Sequence, residues 1–164
     1  HDAAIVDVGG GASRLVDALL ANGFHDVAVL DLSDAALANA RQRIGAASDA
    51  VRWIAGDVTV WQPRQAFDVW HDRAAFHFLV EEDDRAAYLD RLHRGVRAGG
   101  HAVIGTFALD GPEQCSGLPV RRYDPASLSR TIGPEFELIA AEPHRHATPW
   151  GAAQSFQFSV LRRK

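Results

Sequence analysis

Methionine is missing altogether from this 164-residue chain, and cysteine occurs once, at Cys115. A lone thiol cannot form an internal disulfide, so a reducing, cytoplasmic setting is expected. No apolar stretch approaches the roughly 18 to 20 residues of a membrane-spanning helix, which removes an integral membrane anchor from the expectations. There is also no block of one charge. Seventeen Lys and Arg against 21 Asp and Glu leave a formal charge of -4, spread without the basic face that nucleic acid requires. Small molecules are the expected partners, rather than nucleic acid or a membrane. The missing methionine, together with a start at His1 just ahead of the first apolar run, leads to the expectation that an N-terminal segment of the natural protein is absent.

What is present reads as one domain over residues 1–164, large enough to bury roughly 70% of its extended-chain surface. Strand-length apolar runs fall at Ala3–Val8, Val27–Leu30, Val51–Ile54, Phe67–Trp70 and His101–Ala108. Amphipathic stretches lie between them. Residues 12–21 group Leu15, Val16, Leu19 and Leu20, Ser33 can cap a helix running to Ile44, and Asp83 or Asp84 can cap another, which Gly99-Gly100 would end. This alternation predicts an α/β fold with a parallel sheet covered on both faces. The last third departs from it: a Gly- and Pro-containing loop, a short helix over Pro125–Ile132, then Phe136–Ala140 and Phe156–Val160 as a hairpin with a loop of roughly ten residues.

The most informative stretch is Asp7-Val-Gly-Gly-Gly-Ala-Ser-Arg-Leu15, followed about twenty residues later by a strand ending on Asp31. Glycines between a strand and a helix let the backbone approach a ligand, and a carboxylate ending the next strand can accept from two sugar hydroxyls. The same turn also suits a tight connection that binds nothing. Arg14 stands where a dinucleotide fingerprint wants its last glycine, and no Gly-Lys-Ser/Thr follows to make a phosphate loop. A ligand with a ribose and a base but no phosphate fits better, and S-adenosylmethionine is one.

These residues bring the chain to a known family. It resembles the class I S-adenosylmethionine-dependent methyltransferases along essentially its whole length: Asp7–Ser13 looks like their first motif, Val29–Ser33 the second, Ala55–Val58 the third, Phe67–Arg73 the fourth, and Arg97–Ile104 the approach to the fifth strand. The resemblance implies a doubly wound, mostly parallel seven-stranded sheet of order 3-2-1-4-5-7-6 with the last strand antiparallel. It also implies S-adenosylmethionine as cofactor and S-adenosylhomocysteine as product. Gly9, Gly10 and Gly11 would line the methionyl part, Asp31 would hold the ribose hydroxyls, Asp57 with the backbone of Val58 would meet the adenine edge, and Leu32 would also bind the cofactor. Asp7 would brace the turn near the cofactor's amino group. Ser13 replaces the family's common third glycine, as in branches resembling the elongation-factor lysine methyltransferases.

Methyl transfer from a sulfonium needs alignment and exclusion of water more than a catalytic triad, and positioning is worth roughly 7 to 11 kcal/mol. In a doubly wound sheet the ligand lies outside the carboxyl ends of the strands. Trp70–His77 begins there, so His71, Asp72, Arg73 and His77 are candidates to meet the acceptor, His71, Asp72 and His77 as catalytic groups. Asp72-Arg73-Ala74 resembles the Asp-Arg-Gly element of thiopurine methyltransferases. The bland reading is a structural Asp72–Arg73 pair and a His77 that packs inside. The loop Gly111–Tyr123 adds Cys115, Arg121, Arg122 and Tyr123, the last a further catalytic candidate, and His144–Gly151 adds His144, His146 and Trp150. Arg121 and Arg122 suit either a substrate carboxylate or an exposed basic pair. The His-x-His pair lacks a third ligand at motif spacing, so no metal is expected. A methyltransferase acting on a small molecule is the expected function; protein lysine methylation and a non-catalytic cofactor-binding protein are the alternatives.

Overall fold

The computed structural model describes residues 2–147 and 153–164. Seven strands form one sheet: β1 (Ile5–Val8), β2 (Val27–Asp31), β3 (Val51–Ala55), β4 (Phe67–Arg73), β5 (Val96–Phe107), β8 (Phe136–Ala147) and β9 (Ala153–Arg163). A two-stranded ribbon, β6 (Gln114–Cys115) with β7 (Leu118–Pro119), lies in the loop after β5. The sheet order is β3-β2-β1-β4-β5-β9-β8, with β1 to β5 parallel and β9 antiparallel to both neighbours. With β8 as sixth and β9 as seventh strand of the sheet, this is the expected order.

Apolar alternation on the strands feeds two cores. On one face Val6, Val8, Leu30, Trp70, Ala102 and Ile104 pack against Tyr88 and Leu92 of α3 (Glu82–Gly95) and Leu128 and Ile132 of α4 (Pro125–Ile132). On the other, Val27, Val29 and Val51 pack against Val16 of α1 (Leu15–Ala21) and Leu37 of α2 (Asp34–Ile44). Burying a side chain of this size contributes about 1.5 to 3 kcal/mol, which is why these helices hold despite modest lengths. Ser33 caps α2 by accepting from Ala36 N, and Asp124 caps α4 in a box with Ser127. No helix among the described residues is long and apolar enough to cross a membrane.

Three expectations shift. Neither Asp83 nor Asp84 caps α3; Glu81 precedes it, and the two aspartates sit in the first turn, where the helix dipole favours negative charge. Gly99-Gly100 does not end that helix, which stops at Gly95 against the Trp70 ring; the glycines belong to β5, where residues 97–100 loop out between the pairs Phe67–Val96 and Val69–His101. The hairpin strands are longer than their apolar cores suggest, and pairing continues from Phe136–Arg163 to Ala147–Ala153. Long antiparallel pairing satisfies the backbone even where the side chains are polar.

Candidate active site

The chain leaves β1 into a turn whose glycines each face a different neighbour. Gly9 has φ +69, and a side chain there would bring Cβ to 2.9 Å from the Cβ of Ala75, so this glycine lets the turn touch the segment after β4. A Cβ on Gly10 would lie 2.6 Å from Oδ2 of Asp7 and 2.7 Å from Val29, so the turn settles directly onto that carboxylate. Gly11 brings backbone against Asp31, whose Oδ2 would be 2.6 Å from a Cβ there. The far end of the turn is tied down by Arg43 of α2, which donates to the carbonyl of Ser13 at 2.7 Å and pairs with Asp17. That guanidinium holds the Asp17 carboxyl below its usual range. Ser13 is no glycine substitute: its Oγ accepts from Leu15 N and starts α1.

A cleft of about 410 Å³ opens beside this turn, with Gly9, Asp31, Leu32, Asp57 and Val58 on one side and Ala74, Ala75, Phe78, Leu79 and Leu118 on the other. Asp31 ends β2 and accepts from Ser33 N through Oδ1, which fixes the carboxylate at the rim and leaves Oδ2 beside Gly11. Asp57 accepts from the amide and hydroxyl of Thr59, both at 2.8 Å, through one oxygen. A close backbone turn, apolar flanks and two rim carboxylates make a donor set that fits a nucleoside carrying a small polar tail. Of the residues expected at the cofactor, Gly9, Asp31, Leu32, Asp57 and Val58 line this cleft. Asp7 does not. It lies beneath Gly10, only 2% exposed, with Oδ1 2.7 Å from Nδ1 of His71 and Oδ2 buried without a hydrogen-bond partner among the described residues.

The segment after β1's other neighbour divides by strand alternation. Asp7 pairs with His71 in the sheet register, so both project to one face, whereas Trp70 and Asp72 project to the other. Asp72 was expected near the reacting atoms. It is instead fully buried and accepts from Ala75 N, Phe76 N and the hydroxyl of Tyr88, which itself accepts from Trp70 Nε1. Burial raises its pKa from 3.8 to about 6 against those bonds. Asp72 therefore positions the 74–76 turn and does not face either cleft. His77 is likewise interior: its ring packs 4.8 Å from that of Phe107, Nδ1 accepts weakly from Phe107 N, Nε2 has no partner among the described residues, and burial lowers its pKa to about 4. Tyr123 is 1% exposed, its ring 5.5 Å from that of Phe76, and burial raises its pKa. All three were expected at the acceptor, and packing takes each into the core.

A second groove, of about 440 Å³, is lined by Arg73, Ala74, Glu142, Pro143, His144, His146, Gln154, Phe156 and Phe158. The strand register explains its composition. A shift between Leu138 and Ala140 sets the phase of β8, so that Glu142 pairs with Phe158, His144 with Phe156 and His146 with Gln154. Paired residues share a face. His144 and His146 thus stand where a substrate wall was expected; Trp150 lies outside the described residues. Arg122 is committed to Glu113 and the carbonyl of Gly111, Arg121 lies over the Tyr123 ring, and Cys115 sits in the small ribbon, so none of these lines the groove. No cluster of three or more His, Cys, Asp or Glu able to hold a metal occurs among the described residues.

Ala74 lines both clefts. It has φ +66 in the left-handed region, at the position where the thiopurine enzymes' element carries glycine. A family model described as a methyltransferase domain matches residues 5–100, more than half of the chain. The chain belongs to the methyltransferase-domain family. The enzyme class foreseen from the motif series, an S-adenosylmethionine-dependent methyltransferase, is the class this membership supports. Solved structures agree on the fold. The 1,6-didemethyltoxoflavin N1-methyltransferase of Burkholderia thailandensis, solved with that compound and S-adenosylhomocysteine, is 23% identical with a TM-score of 0.77, covering 100% of this chain and 72% of that one. An S-adenosylmethionine-dependent methyltransferase of Mesorhizobium loti is 19% identical with a TM-score of 0.76, covering 99% and 91%. A TehB-like methyltransferase of Corynebacterium glutamicum is 24% identical with a TM-score of 0.69, covering 100% and 82%. No curated protein sequence matches the chain.

Several residues of this methyltransferase's two clefts escape a reading of the sequence. Phe78, Leu79 and Leu118 look like ordinary core or loop residues, and Phe156 and Phe158 look like the buried side of a strand. Arg43 carries the nearest thing to a signal, since its position at the last turn of α2 leaves it free to reach the loop before α1.

Proposed function

We propose that this methyltransferase holds S-adenosylmethionine in the cleft beside Gly9 and passes the methyl group to a small-molecule acceptor seated in the adjoining groove. The observation that carries the reading is Ala74, the wall common to a nucleoside-shaped cleft and a second cavity of small-molecule size. The bound cofactor supplies an activated methyl carbon: the acceptor heteroatom bonds to it as the carbon–sulfur bond breaks, the electron pair stays on sulfur, and the acceptor's proton passes to a base or to water. Gly9 to Gly11 let backbone meet the methionyl tail, and Asp31 takes the ribose hydroxyls. Leu32 and Val58 flank the base, with Asp57 at its edge. Asp7 orients His71 through Nδ1 on the groove's face of the sheet; His71 lines neither cavity, so a proton reaches its other ring nitrogen by way of water. Asp72 keeps the 74–76 turn in place. The fold neighbours include an enzyme named for a small heterocyclic acceptor and a glycopeptide N-methyltransferase, which supports acceptors of this scale. A cytoplasmic setting suits the lone Cys115.

Calorimetric titration with S-adenosylhomocysteine tests the reading. Binding is expected, and Asp31→Ala should weaken it roughly 100-fold, the loss of two charge-assisted hydrogen bonds worth about 1.5 kcal/mol each. Equal affinity in the two proteins overturns the assignment of the cleft.

A further inference from the structure

We propose that the acceptor is a planar, fused aromatic or heteroaromatic ring system, and that Phe158, backed by Phe156, forms the platform on which it lies. The proposal rests on the reading of the neighbouring cleft as the methyl-donor site. One rung of the sheet runs Arg73–Gly105–Phe158–Glu142 across β4, β5, β9 and β8. Gly105 supplies no side chain to this rung, and the Phe158 ring lies over it so closely that a Cβ would come within 2.5 Å of the ring. The next rung places Phe156 between Phe107 and His144. The plane of the half-buried Phe158 ring runs within 25° of that of Phe156, which packs beside it with centroids 6.2 Å apart and is itself only 8% exposed. His144 meets Phe158 at 77° and His146 meets Phe156 at 87°, so both imidazoles stand edge-on around the platform.

This arrangement discriminates between ligand shapes. The Phe158 ring, laid over Gly105 and lining the groove, offers a flat π face on which another flat ring stacks with an electrostatic and dispersion gain that a puckered ring of equal area lacks. The ends of the rung carry opposite charges, Arg73 next to Ala74 and the donor cleft, Glu142 three strands away. Three strand spacings come to about 14 Å between backbones, which accommodates a two-ring system with a hydrogen bond at either end. The nucleophilic atom then lies at the Arg73 end, and a donor group at the far end meets Glu142. Imidazole edges at the sides hydrogen-bond to ring substituents without covering the flat face.

The test compares 2-naphthol with its saturated counterpart decahydro-2-naphthol, in the presence of S-adenosylhomocysteine, by saturation-transfer NMR and titration. The flat probe should bind about tenfold more tightly, the scale of one stacked aromatic contact. Phe158→Leu, which keeps apolar volume and removes the π face, should abolish that preference while S-adenosylhomocysteine affinity stays at the wild-type value. Cofactor product that binds normally beside equal binding of the two probes overturns the aromatic acceptor and leaves the donor site intact. Failure of S-adenosylhomocysteine to bind overturns the donor site itself, and with it the platform's standing as an acceptor site.

Discussion

Two clefts meet at Ala74, and they are built by opposite means. The cleft proposed for the methyl donor is made by what is missing: side chains are absent from Gly9 to Gly11 so that backbone, Asp7, Asp31 and Ala75 can crowd together. The groove proposed for the acceptor is made by what projects from two long antiparallel strands, with aromatic rings and polar ends set by register. A backbone-built site tolerates almost no substitution at its turn but little depends on rotamers. A side-chain-built site can change its ligand by exchanging a residue while the strands remain. Divergent acceptors on a common donor turn follow naturally from that division.

The contrast breaks first at Gly10. Gly10→Ala places a methyl group 2.7 Å from Val29 and 2.6 Å from a buried carboxylate whose other oxygen is held by His71, so destabilisation of about 3 kcal/mol and loss of S-adenosylhomocysteine binding are expected. Urea unfolding and calorimetry read the two effects. A variant that keeps wild-type affinity would mean the turn is not pressed on Asp7 as described.

The segment between the clefts supplies a second test, through pH. The proton is held more tightly by folded Asp72, with pKa about 6 against 3.8, so its contribution to stability is full below about pH 3.8 and is lost as pH rises through 6. His77 has the opposite sign: with a folded pKa of about 4 against 6.5, its contribution is full above about pH 6.5 and is lost as pH falls through 4. Each amounts to roughly 3 kcal/mol, so they offset one another between pH 4 and 6.5. Unfolding of wild-type protein, followed by tryptophan fluorescence, should show little slope from this pair. Asp72→Asn should then become more stable as pH rises across the window, and His77→Asn less stable. Parallel slopes in both variants would contradict the burial assigned to these groups.

Legibility in the sequence follows the same division. Glycines and a strand-ending Asp31 announce the cleft beside the first turn, the β-α alternation announces a parallel sheet covered on both faces, and the strand order comes from the resemblance of the motif series to a known family. Asp72, His77 and Tyr123 were misplaced for a single physical reason: the face on which a strand or turn residue lands depends on pairing partners. Asp7 opposite His71 decides that Asp72 turns inward, where Tyr88 waits sixteen positions along the chain. Phe156 and Phe158 alternate with polar residues like any half-buried strand, and only the shift at Leu138 and Ala140 brings Glu142, His144 and His146 beside them. Nothing local to either strand encodes that phase.

A substitution aimed at the groove alone sharpens the comparison. Gly105→Ala drives a methyl group into the Phe158 ring and must displace it from its place over Gly105, so stability should fall by about 1 to 2 kcal/mol and the preference for 2-naphthol should vanish. S-adenosylhomocysteine affinity should not change, since Gly105 meets Ala74 of the cleft beside Gly9 through its carbonyl, which accepts from Ala74 N, and not at the Cβ position the substitution fills. A loss of both affinities would show that the clefts are not independently built.

The smallest effect belongs to the residue they share. Alanine in the left-handed region costs about 1 kcal/mol relative to glycine, while glycine gives back roughly half of that through the greater freedom of its unfolded chain. Ala74→Gly should therefore raise stability by about 0.5 kcal/mol, and a side chain branched at Cβ, Ala74→Val, should lower it. If glycine is more stable yet both ligands bind as before, the strain is a residue of packing. If glycine stabilises the fold and weakens S-adenosylhomocysteine and 2-naphthol together, the Ala74 methyl group is a wall both ligands lean on, held there at a conformational cost that the Asp72 hydrogen bonds offset.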